Sequence, residues 1–305
     1  MNLALGVKSD PVEYRFSYEW LFSLLAELRV PYVQLGSSME FYHLDDDYFT
    51  DLRRAAERRG VRIRSCFTAH RELGGFFADD SRLAAVARRN FRRWIEIGAL
   101  VGADYVGSNP GAVYRDRPET KEAGVEAYLA AFAEMQRHAF ANGLSAITIE
   151  PMSSAAEPPS LPEEIDAFAR RASDYHAAHP DETVPAFFCG DISHAYVDTS
   201  RTVRYDHWEL FEREVPFMAE FHFKNTDAIY GSTFGFGAAD RERGIVDLHE
   251  LRRILERRKN DFPVDEVVGY LEIGGPKLGR DYSDHLLRPQ IEESIAAIRD
   301  VFPEL

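Results

Sequence analysis

The sequence predicts an α/β protein in which eight parallel strands close into a barrel wrapped by helices. Three observations predict it. Short apolar runs alternate with longer helical patterns eight times along the chain. Strand–helix–strand repetition implies parallel strands joined by crossovers. The 305 residues suit one barrel, which needs roughly 250. Finally, the loop after the first strand reads Lys8-Ser9-Asp10-Pro11. A doubly wound open sheet, the runner-up, would want a glycine-rich phosphate loop there.

The expected strands are residues 3–7, 32–36, 61–68, 105–108, 145–150, 186–191, 218–223 and 267–273. The first helix, 16–28, places Phe16, Trp20, Leu21, Leu24, Leu25 and Leu28 at helical spacing. Helices over 48–59, 82–101, 121–142, 162–178, 207–214, 248–258 and 285–302 follow. Gly60, Gly102 and Gly143 stand just past three of them, where a left-handed residue ends a helix most easily as glycine. The run Asp45-Asp46-Asp47 reads as a helix start favoured by the helix dipole. With no linker or low-complexity block, residues 1–305 are expected to form a single domain.

Composition narrows the function. Apolar residues are 45% of the chain and the net charge is −15. A sizeable core is therefore expected, while the acidic surface disfavours nucleic acid and anionic membranes as partners. A local basic pocket for a phosphorylated small molecule stays compatible with that charge. Cys66 and Cys189 lie in apolar runs and read as buried free thiols, which favours a reducing compartment. No run approaches a membrane span, and Lys8 and Asp10 interrupt the N-terminus too early for a signal peptide. A cytoplasmic protein is the expectation.

In an eightfold barrel, chemistry sits where strands end. The fifth strand ends at Glu150, the sixth at Asp191, the seventh presents His222 and the eighth Glu272. Three acids and a histidine on one rim would repel one another without a cation. A mostly carboxylate set favours Mn²⁺, with Mg²⁺, Co²⁺ or Zn²⁺ as alternatives. Taken singly, each has a structural explanation, such as a helix cap or a core histidine; four ligand types on four consecutive strands make the stronger case. His194, three residues after Asp191, comes back over the same rim and can meet a substrate oxygen or a second metal. The loops after strands seven and eight carry Lys224, Arg241, Arg243, Lys277 and Arg280 among glycines, where a phosphate can be held. Arg201 and Arg204, after the sixth strand, are further candidates, and Lys224, Lys277 and Arg280 are the expected substrate contacts. The 24-residue stretch 224–247 is long for such a loop and suits a lid or a subunit contact, so a homo-oligomer is compatible with it. Tyr230, Phe234 and Phe236 within it are candidates to close over a sugar or, equally, to pack on a second subunit.

At these residues the sequence resembles the xylose-isomerase-like TIM-barrel superfamily, which includes ketose 3-epimerases, sugar isomerases and repair enzymes of the endonuclease IV type. The matching pieces are Ile149-Glu150-Pro151, Asp191-Ile192-Ser193-His194, Phe221-His222-Phe223-Lys224 and Leu271-Glu272-Ile273-Gly274. The resemblance implies that Glu150, Asp191, His222 and Glu272 hold the metal. It also implies that Glu150 and Glu272 act as acid and base, and that His194 touches a substrate oxygen. The segments Glu150-Pro151-Met152-Ser153 and Glu157-Pro158-Pro159 look most like tetrulose-phosphate epimerase relatives. His70, after the third strand, is a further substrate-facing candidate; in the repair branch it would fill one place of a trinuclear zinc site. That branch would want a histidine where the fourth strand ends Ser108-Asn109-Pro110, and the next histidine after His222 is His249, within an expected helix. A barrel that only binds ligand is the remaining alternative. The expected activity is epimerisation or isomerisation of a sugar or sugar phosphate. The proton beside a carbonyl is moved while a cation steadies the developing enediolate.

Overall fold

A computed structural model describes residues 1–36 and 39–305. Among the described residues there are ten strands, in chain order β1 (Asn2–Lys8), β2 (Tyr32–Leu35), β3 (Arg62–Thr68), β4 (Tyr105–Ser108), β5 (Ala146–Ile149), β6 (Ala186–Asp191), β7 (Tyr196–Val197), β8 (Val203–Tyr205), β9 (Met218–Phe223) and β10 (Glu266–Leu271). Eight of these close into a barrel in the order β1-β10-β9-β6-β5-β4-β3-β2, as expected. The other two, β7 and β8, form a small antiparallel hairpin after the sixth barrel strand. Strands this short leave no sequence period to read, so the hairpin was not anticipated.

The barrel strands are covered on both faces, and this explains their near-continuous apolar character. All six residues of β9 are buried, as are five of the six in β10. Helix ends follow their capping chemistry. Ser17 accepts from the Trp20 amide at the start of Tyr18–Glu27, and Asp206 accepts from Trp208 and Glu209 at the start of His207–Glu214. Gly102 ends Ser81–Val101 at φ 74°, the left-handed conformation that glycine adopts without strain.

The chain divides into two compact units. One comprises Met1–Gln34, Ala55–Arg62 and Gly190–Leu305. In it β1 pairs with β10 over six residues, from Asn2 opposite Glu266 to Val7 opposite Leu271. The second comprises Leu35–Arg54 and Ile63–Cys189. Its core is an aromatic cluster in which Tyr128 packs on Phe132 at 5.5 Å and on Phe168 at 6.0 Å. Gly98 lets Ser81–Val101 lie close on β4; a Cβ there would meet Val106 Cγ2 at 2.2 Å. Both cysteines are buried free thiols. Among the described residues, no helix is long and apolar enough to cross a membrane.

Candidate metal centre

Strand ends set out the site. Asp191 is the last residue of β6 and His222 the penultimate residue of β9, whereas Glu150 and Glu272 each stand one residue past their strands, β5 and β10. Exposure is 5% for Glu150, 1% for Asp191 and none for His222; the Glu272 side chain is 17% exposed. One ligand atom from each of Glu150, Asp191, His222 and Glu272 lies within 4.8 Å of the others. These four residues form a candidate metal site.

The orientation of His222 follows from its partners. Its Nε2 donates to Gln34 Oε1 at 2.8 Å, which leaves Nδ1 as the lone-pair nitrogen. Nδ1 lies 3.0 Å from Glu272 Oε2 and 3.8 Å from Asp191 Oδ2. Glu272 Oε2 is buried and has no hydrogen-bond partner of good geometry among the described residues. A buried carboxylate oxygen facing an imidazole lone pair fits a shared cation, because a divalent metal satisfies both at once.

Asp191 and Glu272 are held ionised. Burial pushes the Asp191 carboxyl up, but His194, Lys224 and His222 together outweigh it and leave the group well below the usual carboxylate range. Burial likewise opposes ionisation of Glu272; Lys224, Lys8 and His222 overcome it and hold that carboxyl low. Lys224 Nζ donates to Asp191 Oδ2 at 2.8 Å and lies 3.4 Å from His194 Nε2. His194 Nε2 is 3.2 Å from Asp191 Oδ2. The other oxygen, Asp191 Oδ1, accepts from the Ser193 amide and hydroxyl, both at 2.8 Å.

A model of the xylose isomerase-like TIM barrel family matches residues 22–267. The chain belongs to that family. It is 26% identical over 313 residues to D-erythrulose 1-phosphate 3-epimerase of Brucella abortus (strain 2308), covering 97% of this chain and 95% of the relative. D-psicose 3-epimerase of Clostridium cellulolyticum H10, solved with D-tagatose, superposes with a TM-score of 0.70 at 11% identity, covering 98% of each chain. The IOLI protein, solved with a bound zinc atom, superposes at 0.66 with 14% identity, covering 99% of this chain and 97% of that one. These two structural likenesses establish the barrel fold.

Within this xylose isomerase-like barrel, the remaining expected site residues divide. His194 and Lys224 stand against Asp191, as described. His70 opens a short helix after β3, and its Nδ1 pairs with Asn109 Oδ1 at 2.9 Å. Burial holds the His70 ring below its ordinary value, against the opposing pull of that bond and of Glu157 and Glu150. Lys277 and Arg280 are exposed, and neither forms an ion pair with the four ligand-type residues. Phe234 and Phe236 are buried at 6% and 0%, so they pack into the protein rather than lying ready to close over a sugar. Tyr230 instead meets His207, whose Nδ1 is 2.8 Å from the Tyr230 hydroxyl. Burial pushes His207 down to about 4, against the pull of Asp206 and Asp191.

Two neighbours escaped the sequence reading. Lys8 closes β1, and its ammonium lies 3.1 Å from Glu272 Oε1. Gln34 lies in β2 and orients His222. Each is a long polar residue at the end of an otherwise apolar strand, and that is the signal that could have found them.

Proposed function

We propose that this protein is a metal-dependent epimerase of a ketose or ketose phosphate. Its enzyme class is isomerase. The observation that carries the reading is the convergence of Glu150, Asp191, His222 and Glu272, with ligand atoms within 4.8 Å of one another. The named activity of the Brucella relative, which spans almost the same length, supports the substrate class.

In this proposal Glu150, Asp191, His222 and Glu272 hold one divalent cation, Mn²⁺ by the hardness of its oxygen ligands. When bound, the cation would supply positive charge where negative charge develops on the carbonyl oxygen. Glu150 and Glu272 transfer the proton on opposite faces of the substrate: one removes it from the carbon next to the carbonyl, and the other delivers one to that carbon. The carboxyl of Glu272, held ionised by its neighbours, is ready to accept. Lys224 and His194 contact substrate oxygens beside Asp191, and His70 is a further substrate contact. Lys277 and Arg280, both exposed, are the proposed phosphate contacts.

The chain is proposed to work as a single domain, since strand and helix alternate along it with no linker between them. The buried free thiols support work in a reducing compartment such as the cytoplasm. Metal analysis followed by a panel of ketoses and ketose 1-phosphates, monitored for epimer exchange by NMR, tests the reading. It expects one metal per chain and exchange at the carbon next to the carbonyl. Tightly bound metal with no exchange on any member of the panel would contradict it.

A further inference from the structure

The two oxygens of Glu272 have different partners. Oε1 takes the Lys8 ammonium at 3.1 Å, whereas Oε2 faces His222 Nδ1 at 3.0 Å and Lys224 Nζ at 3.6 Å. Both ends of the Lys8–Glu272 pair are carried by paired strands. Lys8 closes β1 opposite Gln34 of β2, and Val7 beside it is opposite Leu271 of β10, the residue before Glu272. The Lys8 side chain is only 7% exposed, and a further partner, Asp10 at 3.2 Å, is 46% exposed. An ammonium this buried needs charged partners, and Glu272 is the more sheltered of the two.

A free glutamate carboxylate turns readily, because its last torsion is broad and roughly two-fold. Unrestrained, Glu272 would exchange its oxygens and spend time in orientations useless for proton transfer. An ammonium fixed to Oε1 removes that freedom, since turning the carboxylate would break a buried ion pair. Lys8 meets the far oxygen of Glu272, Oε1.

We propose that Lys8 is a positioning residue for Glu272. It holds Oε1, so that Oε2 alone turns toward His222 and the metal position, and the carboxylate keeps one orientation toward the reacting carbon. This rests on reading Glu272 as one of two proton-transferring groups. Lys8 itself exchanges no proton and forms no bond in the reaction; its effect is confined to the face that Glu272 serves. A residue that merely stabilised the barrel would slow both faces alike.

The test measures proton washout into D₂O separately from each member of the epimer pair, using holoenzyme at saturating Mn²⁺ and the ketose or ketose phosphate that the wild type turns over. Glu272→Gln identifies the epimer whose proton Glu272 removes. Lys8→Met should slow washout from that same epimer by about a hundredfold, the scale of an ångström-sized misplacement, while the other epimer changes by less than about twofold. Equal slowing from both epimers, or no slowing, overturns the proposal. Should Lys8→Met not fold, Lys8→Arg keeps the charge but shifts the donor; it should give a smaller loss, about tenfold, confined to the same epimer, and equal effects on both would again overturn it. A wild type that washes out no proton from any ketose tested would defeat the epimerase reading and this inference together. A wild type that exchanges, with unselective Lys8 variants, defeats the Lys8 role alone.

Discussion

Replacing Asp191 by alanine removes an acceptor that four neighbouring groups use. Oδ1 accepts from the Ser193 amide and hydroxyl at 2.8 Å each, and Oδ2 faces Lys224 at 2.8 Å and His194 at 3.2 Å. The side chain is wholly buried, so water cannot substitute without rearrangement. Lys224 keeps Glu272, at 3.6 Å, as a charged partner. Breaking one partner from a buried ion pair costs about 3–5 kcal/mol, and each stranded donor adds roughly 1 kcal/mol or more. Since Lys224 retains Glu272, the expected loss for Asp191→Ala is about 4 kcal/mol. Asp191→Asn keeps an acceptor for Ser193 and should lose only about half as much. Urea unfolding at pH 7 with excess chelator reads these values without a metal contribution. The sign with pH is fixed, because the folded carboxyl titrates well below its unfolded value. Its stabilisation is fully present above about pH 4 and is lost as pH falls toward the folded value, so the wild-type and Asp191→Asn curves should converge in acid. An Asp191→Ala protein within about 1 kcal/mol of wild type, or indistinguishable from Asp191→Asn, would refute this account of the rim.

Two further outcomes are expected. His207 titrates at about 4 when folded, against 6.5 when exposed. The unfolded chain therefore binds the proton first, and stability falls by about 3 kcal/mol between pH 6.5 and 4; His207→Gln should remove that part of the slope, and an unchanged slope in chemical denaturation would contradict it. Lys277→Ala or Arg280→Ala should raise KM for a ketose phosphate roughly tenfold, with little effect on the free sugar; steady-state kinetics showing equal effects on both would mark these exposed residues as surface charge.

The barrel was legible because each βα unit repeats the same alternation, and glycine punctuation at Gly60, Gly102 and Gly143 survives as three left-handed residues. The ligand types were legible because a charged residue at the end of an apolar strand is rare and costly. Lys8 and Gln34 were not, since their meaning lies in pairings across strands that sequence distance hides: Lys8 meets a carboxylate 264 positions away, and Gln34 a histidine 188 positions away. The Tyr230–His207 contact was hidden for a similar reason. The turn that presents Tyr230 is built by Asp227, whose Oδ1 accepts from the Ile229 and Gly231 amides, a local geometry with no hydrophobic period. Phe234 and Phe236 show the limit of composition, since an aromatic in a long loop can pack inward as readily as it can cover a ligand.

The most direct test of the central claim follows deuterium in D₂O. The wild type should place deuterium on the carbon next to the carbonyl while interconverting epimers. Glu150→Gln and Glu272→Gln, each checked for retained metal, should both abolish net conversion, because the path requires a base on one face and an acid on the other. Each should still wash the proton from one epimer alone, and the two variants should spare opposite epimers. Full epimerisation by either variant would contradict the two-glutamate account.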